Sequence, residues 1–178
     1  MSESEQIVYP VLGECEAYYL GHPDPVTIPR YIKGVRNVTQ KGGCLGLDDI
    51  MRAFRELGLT SEEPLQLKGG TVRPSEVAVA LLGRMPEPDP SELPPAISEF
   101  MLIATGTRDN QPVKLTYVTS GKMGPQTGIP ASIAAQMIGA GQVEQKGVFA
   151  PEGCLNPDIF LAELTKRDIE VKRSEEAL

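Results

Sequence analysis

The spacing of apolar positions changes several times along this chain, and each change marks a different element. Between Ile7 and Leu20, apolar runs at Val8, Tyr9, Val11 and Leu12 and again from Ala17 to Leu20 are separated by Gly13 and Glu14. That pattern predicts one or two short strands. The next stretch, GHPDPVTIPRYI from Gly21 to Ile32, carries Pro23, Pro25 and Pro29. Proline locks φ and removes a backbone donor, so this segment reads as a shaped loop, neither a regular helix nor a central strand. Val35, Asn37 and Thr39 alternate with Arg36, Val38 and Gln40, which predicts a further strand ended by Gly42 and Gly43. Helical spacing then takes over. Leu47, Ile50, Met51, Phe54 and Leu57 share one stripe, with Asp48 and Asp49 at the positive helix end and Gly58 as the stop. Pro74 suits the first turn of a second helix, expected to bury Val77, Leu81 and Leu82. From Met85 to Pro95 five prolines make a stiff connector.

Phe100 to Thr107 and Val113 to Thr119 are rich in strand formers, and Arg108-Asp109-Asn110-Gln111 between them supplies the turn of a hairpin. A glycine-rich loop, SGKMGPQTG, leads to a helix from Pro130 that presents Ile133, Ala134, Met137 and Ile138 and stops at Gly139 to Gly141. Asn156 and Pro157 are suited to cap and open a last helix, whose buried face is Phe160, Leu161 and Leu164. Ile169 and Val171 suggest a closing strand, followed by a frayed charged tail. This order predicts an α+β fold: a mixed, mostly antiparallel sheet with helices packed on it and a small inserted helical lobe. The expected division is residues 1–43 and 96–178 as one α/β domain, and 44–95 as the inserted lobe with its proline-rich connector.

Composition narrows the functions. With 178 residues, 40% hydrophobic and 23% charged, the chain has room for one core or a core with a satellite lobe. The net charge of −7 repels phosphate backbones, so nucleic acid is not an expected partner. No apolar run approaches the ~20 residues that span a bilayer. The start, Met1 to Gln6, is polar and acidic, so no secretory signal is expected; with no spanning run either, no membrane partner is expected and the chain reads as cytoplasmic. Cys15, Cys44 and Cys154 are far apart and His22 is the one histidine, so a four-ligand zinc site is not expected and reduced thiols are. Gly139-Ala140-Gly141-Gln142-Val143-Glu144 begins like a dinucleotide-binding fingerprint, but Glu144 replaces its last glycine and the segment follows a helix instead of opening one.

A set of segments in order carries more. VYPVLGE at Val8 to Glu14, GHPDPVTIPRYI at Gly21 to Ile32, VTQKGG at Val38 to Gly43, TGIPASIAAQMI at Thr127 to Ile138 and GVFAPEGCLNPDIFLAEL at Gly147 to Leu164 span nearly the whole chain. Together they resemble the carboxyl-terminal region of the saccharopine dehydrogenase (saccharopine reductase) family, which includes lysine 6-dehydrogenases and carboxynorspermidine dehydrogenases. The resemblance implies a substrate-binding and dimerising domain of an oxidoreductase of amino-acid, and specifically lysine, metabolism. The full enzyme would move a hydride between NAD or NADP and the carbon–nitrogen bond of saccharopine or lysine. Its partners would be that amino acid, a second copy of itself, and a nucleotide-binding Rossmann domain of the same protein, which this chain is expected to lack; alone it is expected to be inactive and to bind no NAD(P). His22, Asp24, Thr27 and Arg30, rigidly presented between prolines, are the candidate substrate-binding residues, with Arg30 as a carboxylate clamp. Gly124, Thr127 and Gly128, before and at the start of a helix, are the candidates that face the cofactor. Tyr18 and Tyr19 are further candidates for the pocket wall, Glu152 reads as a turn residue, and the catalytic acid or base is unassigned. The rival reading is a non-catalytic assembly or small-molecule-sensing module of the same fold.

Overall fold

The first apolar runs pair as strands: β1, Ser4–Tyr9, and β2, Gly13–Tyr19, lie side by side, and Gly13 takes the positive φ of 77° that the turn between them needs. The structure, a computed structural model, describes residues 4–43, 48–84 and 97–178. They sort into two compact units, residues 4–7, 15–20, 41–43 and 48–84 in one and 8–14, 21–40 and 97–178 in the other.

In the first unit, Cys15, Ala17 and Tyr18 of β2 are buried. A two-residue strand β3, Lys41–Gly42, pairs antiparallel with Tyr18 and Tyr19. The strand expected at Val35 to Thr39 is not there; those residues are irregular and mostly exposed. Alternation alone lacked a partner, whereas Lys41 pairs with Glu5 and lies 4.5 Å from the centroid of the Tyr19 ring. Helix α2, Asp48–Glu56, ends as expected at Gly58, where φ is 75°. The Gly58 N–H donates to the Arg55 carbonyl and the Leu59 N–H to the Phe54 carbonyl, the paired bonds of a glycine C-cap. Phe54 is half-buried, while Ile50 and Leu57 are exposed and Leu47 lies outside the described residues. A small antiparallel hairpin, β4 (Leu65–Leu67) and β5 (Gly70–Val72), precedes α3, Pro74–Leu82. Helix α3 starts where predicted but buries Pro74 and Ala78, leaving Val77, Leu81 and Leu82 exposed. The proline-rich connector and Cys44 lie outside the described residues.

The second unit holds the long hairpin. Strands β6, Ile97–Arg108, and β7, Gln111–Lys122, pair in register through Arg108↔Gln111. Asp109 and Asn110 turn between them at φ 51° and 61°, the left-handed pair that a two-residue hairpin requires. Helix α4, Met123–Gly139, follows β7 directly, so the expected glycine-rich loop is divided between the end of β7 and the first turns of α4, and Pro130 lies inside the helix. Helix α5, Pro157–Thr165, is capped by Asn156, whose side chain accepts from the Asp158 and Ile159 N–H groups at 3.0 and 3.2 Å. Ile133, Met137, Leu164 and Ile169 form the core, with Phe160, Leu161 and Val171 packed on it.

The closing strand also departs from expectation. Ile169 is core, and the charged segment expected to fray is strand β8, Lys172–Ala177, antiparallel to β7. Backbone bonds and cross-strand ion pairs suffice for an edge strand: Arg108 meets Glu175 at 2.8 Å and Lys114 meets Glu176 at 3.2 Å. Every ladder with a defined register is antiparallel, and helices and strands coexist without parallel crossovers among them. The fold is α+β, as predicted.

Candidate functional site

The GHPDPVTIPRYI segment is helical, contrary to the loop expected. Helix α1, Asp24–Tyr31, starts from the Pro23 carbonyl, which accepts the Val26 and Thr27 N–H groups at 2.9 and 3.0 Å. Pro25 falls in the first turn, where no N–H is used, so it favours the helix instead of breaking it. Only Pro29 is interior, and the helix ends within the next turn. Helix α1 seats on the 3-10 turn Pro151–Gly153. A Cβ at Gly153 would lie 2.5 Å from the Tyr31 ring, so glycine is what lets the ring lie against that backbone.

This docking orders the candidate substrate residues. Asp24, Thr27, Ile28 and Tyr31 share the half-buried side of α1. His22 is exposed just before the helix, and its Nδ1 is hydrogen-bonded to Asp24 Oδ2. Thr27 lies on the same side as Asp24, one turn on. Arg30 is exposed, roughly 120° around the axis from Asp24 and roughly 60° from Thr27 at about 100° per residue, so it neighbours Thr27 but is turned away from Asp24.

Beside that turn lies an open recess of about 270 Å³ lined by Gln142, Glu144, Gln145 and the segment from Glu152 to Asn156. Its charged walls are both carboxylates, and one Glu152 oxygen, Oε1, is buried without a hydrogen-bond partner. The turn role expected for Glu152 holds for its backbone, but the side chain reaches inward. A second open recess, about 340 Å³ in the other unit, is lined by β5 and α3 residues including Val77 and Leu81, and by Arg84 beyond the helix end.

Gly124, Thr127 and Gly128 are exposed in the first turns of α4, and a Cβ at either glycine would meet nothing within 4 Å. The N-terminus of α4 has no side-chain cap and no acidic residue, so its amides and dipole are open to an anion. The opposite end of α4 holds the fingerprint-like segment. There Gly141, at φ 70°, and Gln142 donate to the Ile138 and Met137 carbonyls as a helix stop. Carbonyls and a negative dipole end do not suit a pyrophosphate, so this segment is no dinucleotide cradle.

Glu99, not among the residues the sequence singled out, is the buried acid of β6. Its Oε2 accepts the Val11 and Leu12 N–H groups, both at 3.0 Å, while Oε1 is buried without a partner. A lone acid in the run ISEFMLIATG was the available signal. Tyr18 is buried beside Glu16: hydrogen bonds from Ser4 and Tyr18, with the Arg52 charge, hold the Glu16 carboxyl below its ordinary value. Tyr19 is exposed. Cys154 is half-buried and its thiol donates to the Ala150 carbonyl, and Cys15 is buried. Among the described residues no group of three metal-ligating side chains gathers, and no helix is long and apolar enough to cross a membrane.

Comparison with known proteins agrees with the resemblance drawn from the segments. The model of the saccharopine dehydrogenase C-terminal domain matches residues 3–169. Carboxynorspermidine synthases of Vibrio cholerae and Vibrio alginolyticus are each 30% identical to the chain over 169 residues, covering 86% of it and 39% of their own length. The chain thus spans about two fifths of those relatives. From β1 to the end of α5, and through the α1 and α4 segments that carry the candidate residues, it belongs to the saccharopine dehydrogenase C-terminal domain family.

Proposed function

We propose that this chain is the substrate-side and dimerising domain of an NAD(P)-dependent oxidoreductase acting on the CH–NH bond of an amino acid, and that this amino acid is a carboxylated polyamine in preference to saccharopine or lysine. The observation that carries the reading is the family match over residues 3–169. The curated relatives named for carboxynorspermidine favour the polyamine.

The chemistry of the walls supports the same class. The recess beside α1 offers Glu144 and Glu152, three side-chain amides and no cation, a lining that suits ammonium groups. Arg30, exposed on α1, is free to reach a carboxylate of the same substrate. NAD or NADP, when bound, supplies the hydride acceptor. Gly124, Thr127 and Gly128 leave room for that cofactor, or the domain holding it, to approach the open end of α4. A second copy of the protein is the proposed partner of β6, the apolar edge strand of the β6-β7-β8 sheet.

The test is an assay of the full-length protein with carboxynorspermidine, saccharopine and lysine in turn, each with NAD and NADP, read as nicotinamide absorbance. Carboxynorspermidine is expected to show the highest kcat/KM. If none of the three is oxidised, the oxidoreductase reading falls and the non-catalytic module replaces it. In the same assay Arg30→Ala is expected to raise KM about thirtyfold, from a loss of roughly 2 kcal/mol, and an unchanged KM removes Arg30 from the site.

A further inference from the structure

The His22–Asp24 pair has a polarity that chemistry dictates. An ionised carboxylate only accepts, so a neutral imidazole bonded to it through Nδ1 carries its proton there and keeps its lone pair on Nε2. The pair is braced. Pro23 and Pro25 restrict the backbone on either side of Asp24, the first turn of α1 favours a carboxylate, and Tyr31 against Gly153 seats the helix. His22 itself is half exposed, and its hydrogen bond to Asp24 uses Nδ1.

We infer that Asp24 is a positioning residue, not a substrate ligand: it holds His22 in the Nδ1–H tautomer and leaves Nε2 as the proton acceptor for the substrate's ammonium group. This rests on the oxidoreductase reading above. The proton passes from the substrate nitrogen to Nε2, leaving a neutral amine and an imidazolium whose charge Asp24 offsets. The freed nitrogen lone pair is what formation of a C=N bond requires, and NAD or NADP, when bound, would supply the hydride acceptor. The other charged groups about this helix are Arg30 on α1 itself and Glu152 on the turn packed against it.

Two measurements on the full-length protein decide it. In the first, ring ¹⁵N NMR of His22, assigned by its loss in His22→Gln, is expected to show the Nδ1–H tautomer in the wild type and a tautomer mixture in Asp24→Ala. A mixture already in the wild type, or no change in Asp24→Ala, overturns the positioning role. In the second, His22→Gln is expected to lower kcat about a hundredfold and to remove the acid-side limb of the kcat/KM profile. Asp24→Ala is expected to lower kcat about tenfold with KM nearly unchanged. An unaltered limb in His22→Gln overturns the proton-acceptor role. A wild type that oxidises no amine overturns the oxidoreductase reading instead, and the NMR result still stands or falls by itself.

Discussion

At the scale of single residues, the ends of helices show how local chemistry and tertiary demand divide. Gly58 and Gly141 stop α2 and α4 with positive φ, and Asp168 does the same for α5 at φ 58°. The Asp168 and Ile169 N–H groups donate to the Thr165 and Leu164 carbonyls, the same paired bonds that glycine makes at the other two ends. An L side chain carries a steric cost there that glycine lacks, reduced for Asp by its short polar group. Asp168→Gly is therefore expected to stabilise the chain by about 0.5–1 kcal/mol, measured as an upward shift of the denaturation midpoint at unchanged slope. Glycine stops and the Asn156 cap were legible because the residue type states the conformation. Asp168 was not, since aspartate is common in many settings and only the turn into buried Ile169 requires this one.

Helices and strands respond as units. Just past the end of α5, Arg167 and then Lys166 donate back to Glu163 and hold its carboxyl below the ordinary carboxylate range. Folding thus favours the ionised form, so this contribution is complete above the unfolded value near 4.5 and is lost as pH falls through the lower folded value. Glu163→Gln should flatten the acid-side loss of stability below about pH 4.5, followed by thermal melts across that range. A melting profile that falls as steeply as the wild type's would count against the pair. On α4, Gly124 and Gly128 weaken a helix with open space before them. Replacing each by Ala is expected to stabilise the chain by about 0.5–1 kcal/mol in denaturant titration and, in the full-length enzyme, to raise KM for NAD(P). A stabilised variant with unchanged KM would remove these positions from the cofactor side. The candidate site was legible by residue type and not by element: Pro23, Pro25 and Pro29 looked incompatible with a helix because helix position, which decides whether a proline N–H is missed, is not visible until the start of the helix is known.

For the whole molecule, strand order matters most. In β6-β7-β8, β6 is an edge, and among the described residues no strand pairs with its outer side. Phe100 and Leu102 stand exposed at alternate positions along it. A long apolar edge invites a further strand or a covering surface. With a second copy as the proposed cover, sedimentation is expected to give a dimer for the wild type and a monomer for Phe100→Glu/Leu102→Glu; a monomeric wild type would discard that partner. The α+β class, the turn of the long hairpin, the starts of α3 and α5 and the family were written in the chain, because turn residues, caps and segment order act over a few positions each. Tertiary structure alone decided that the charged end pairs as β8, that Pro74 and Ala78 rather than Val77 and Leu81 are covered, and that His22 and Asp24 bond while Arg30 turns aside. Those outcomes depend on which surface meets which, and burial and hydrogen bonding are settled between elements, not within them.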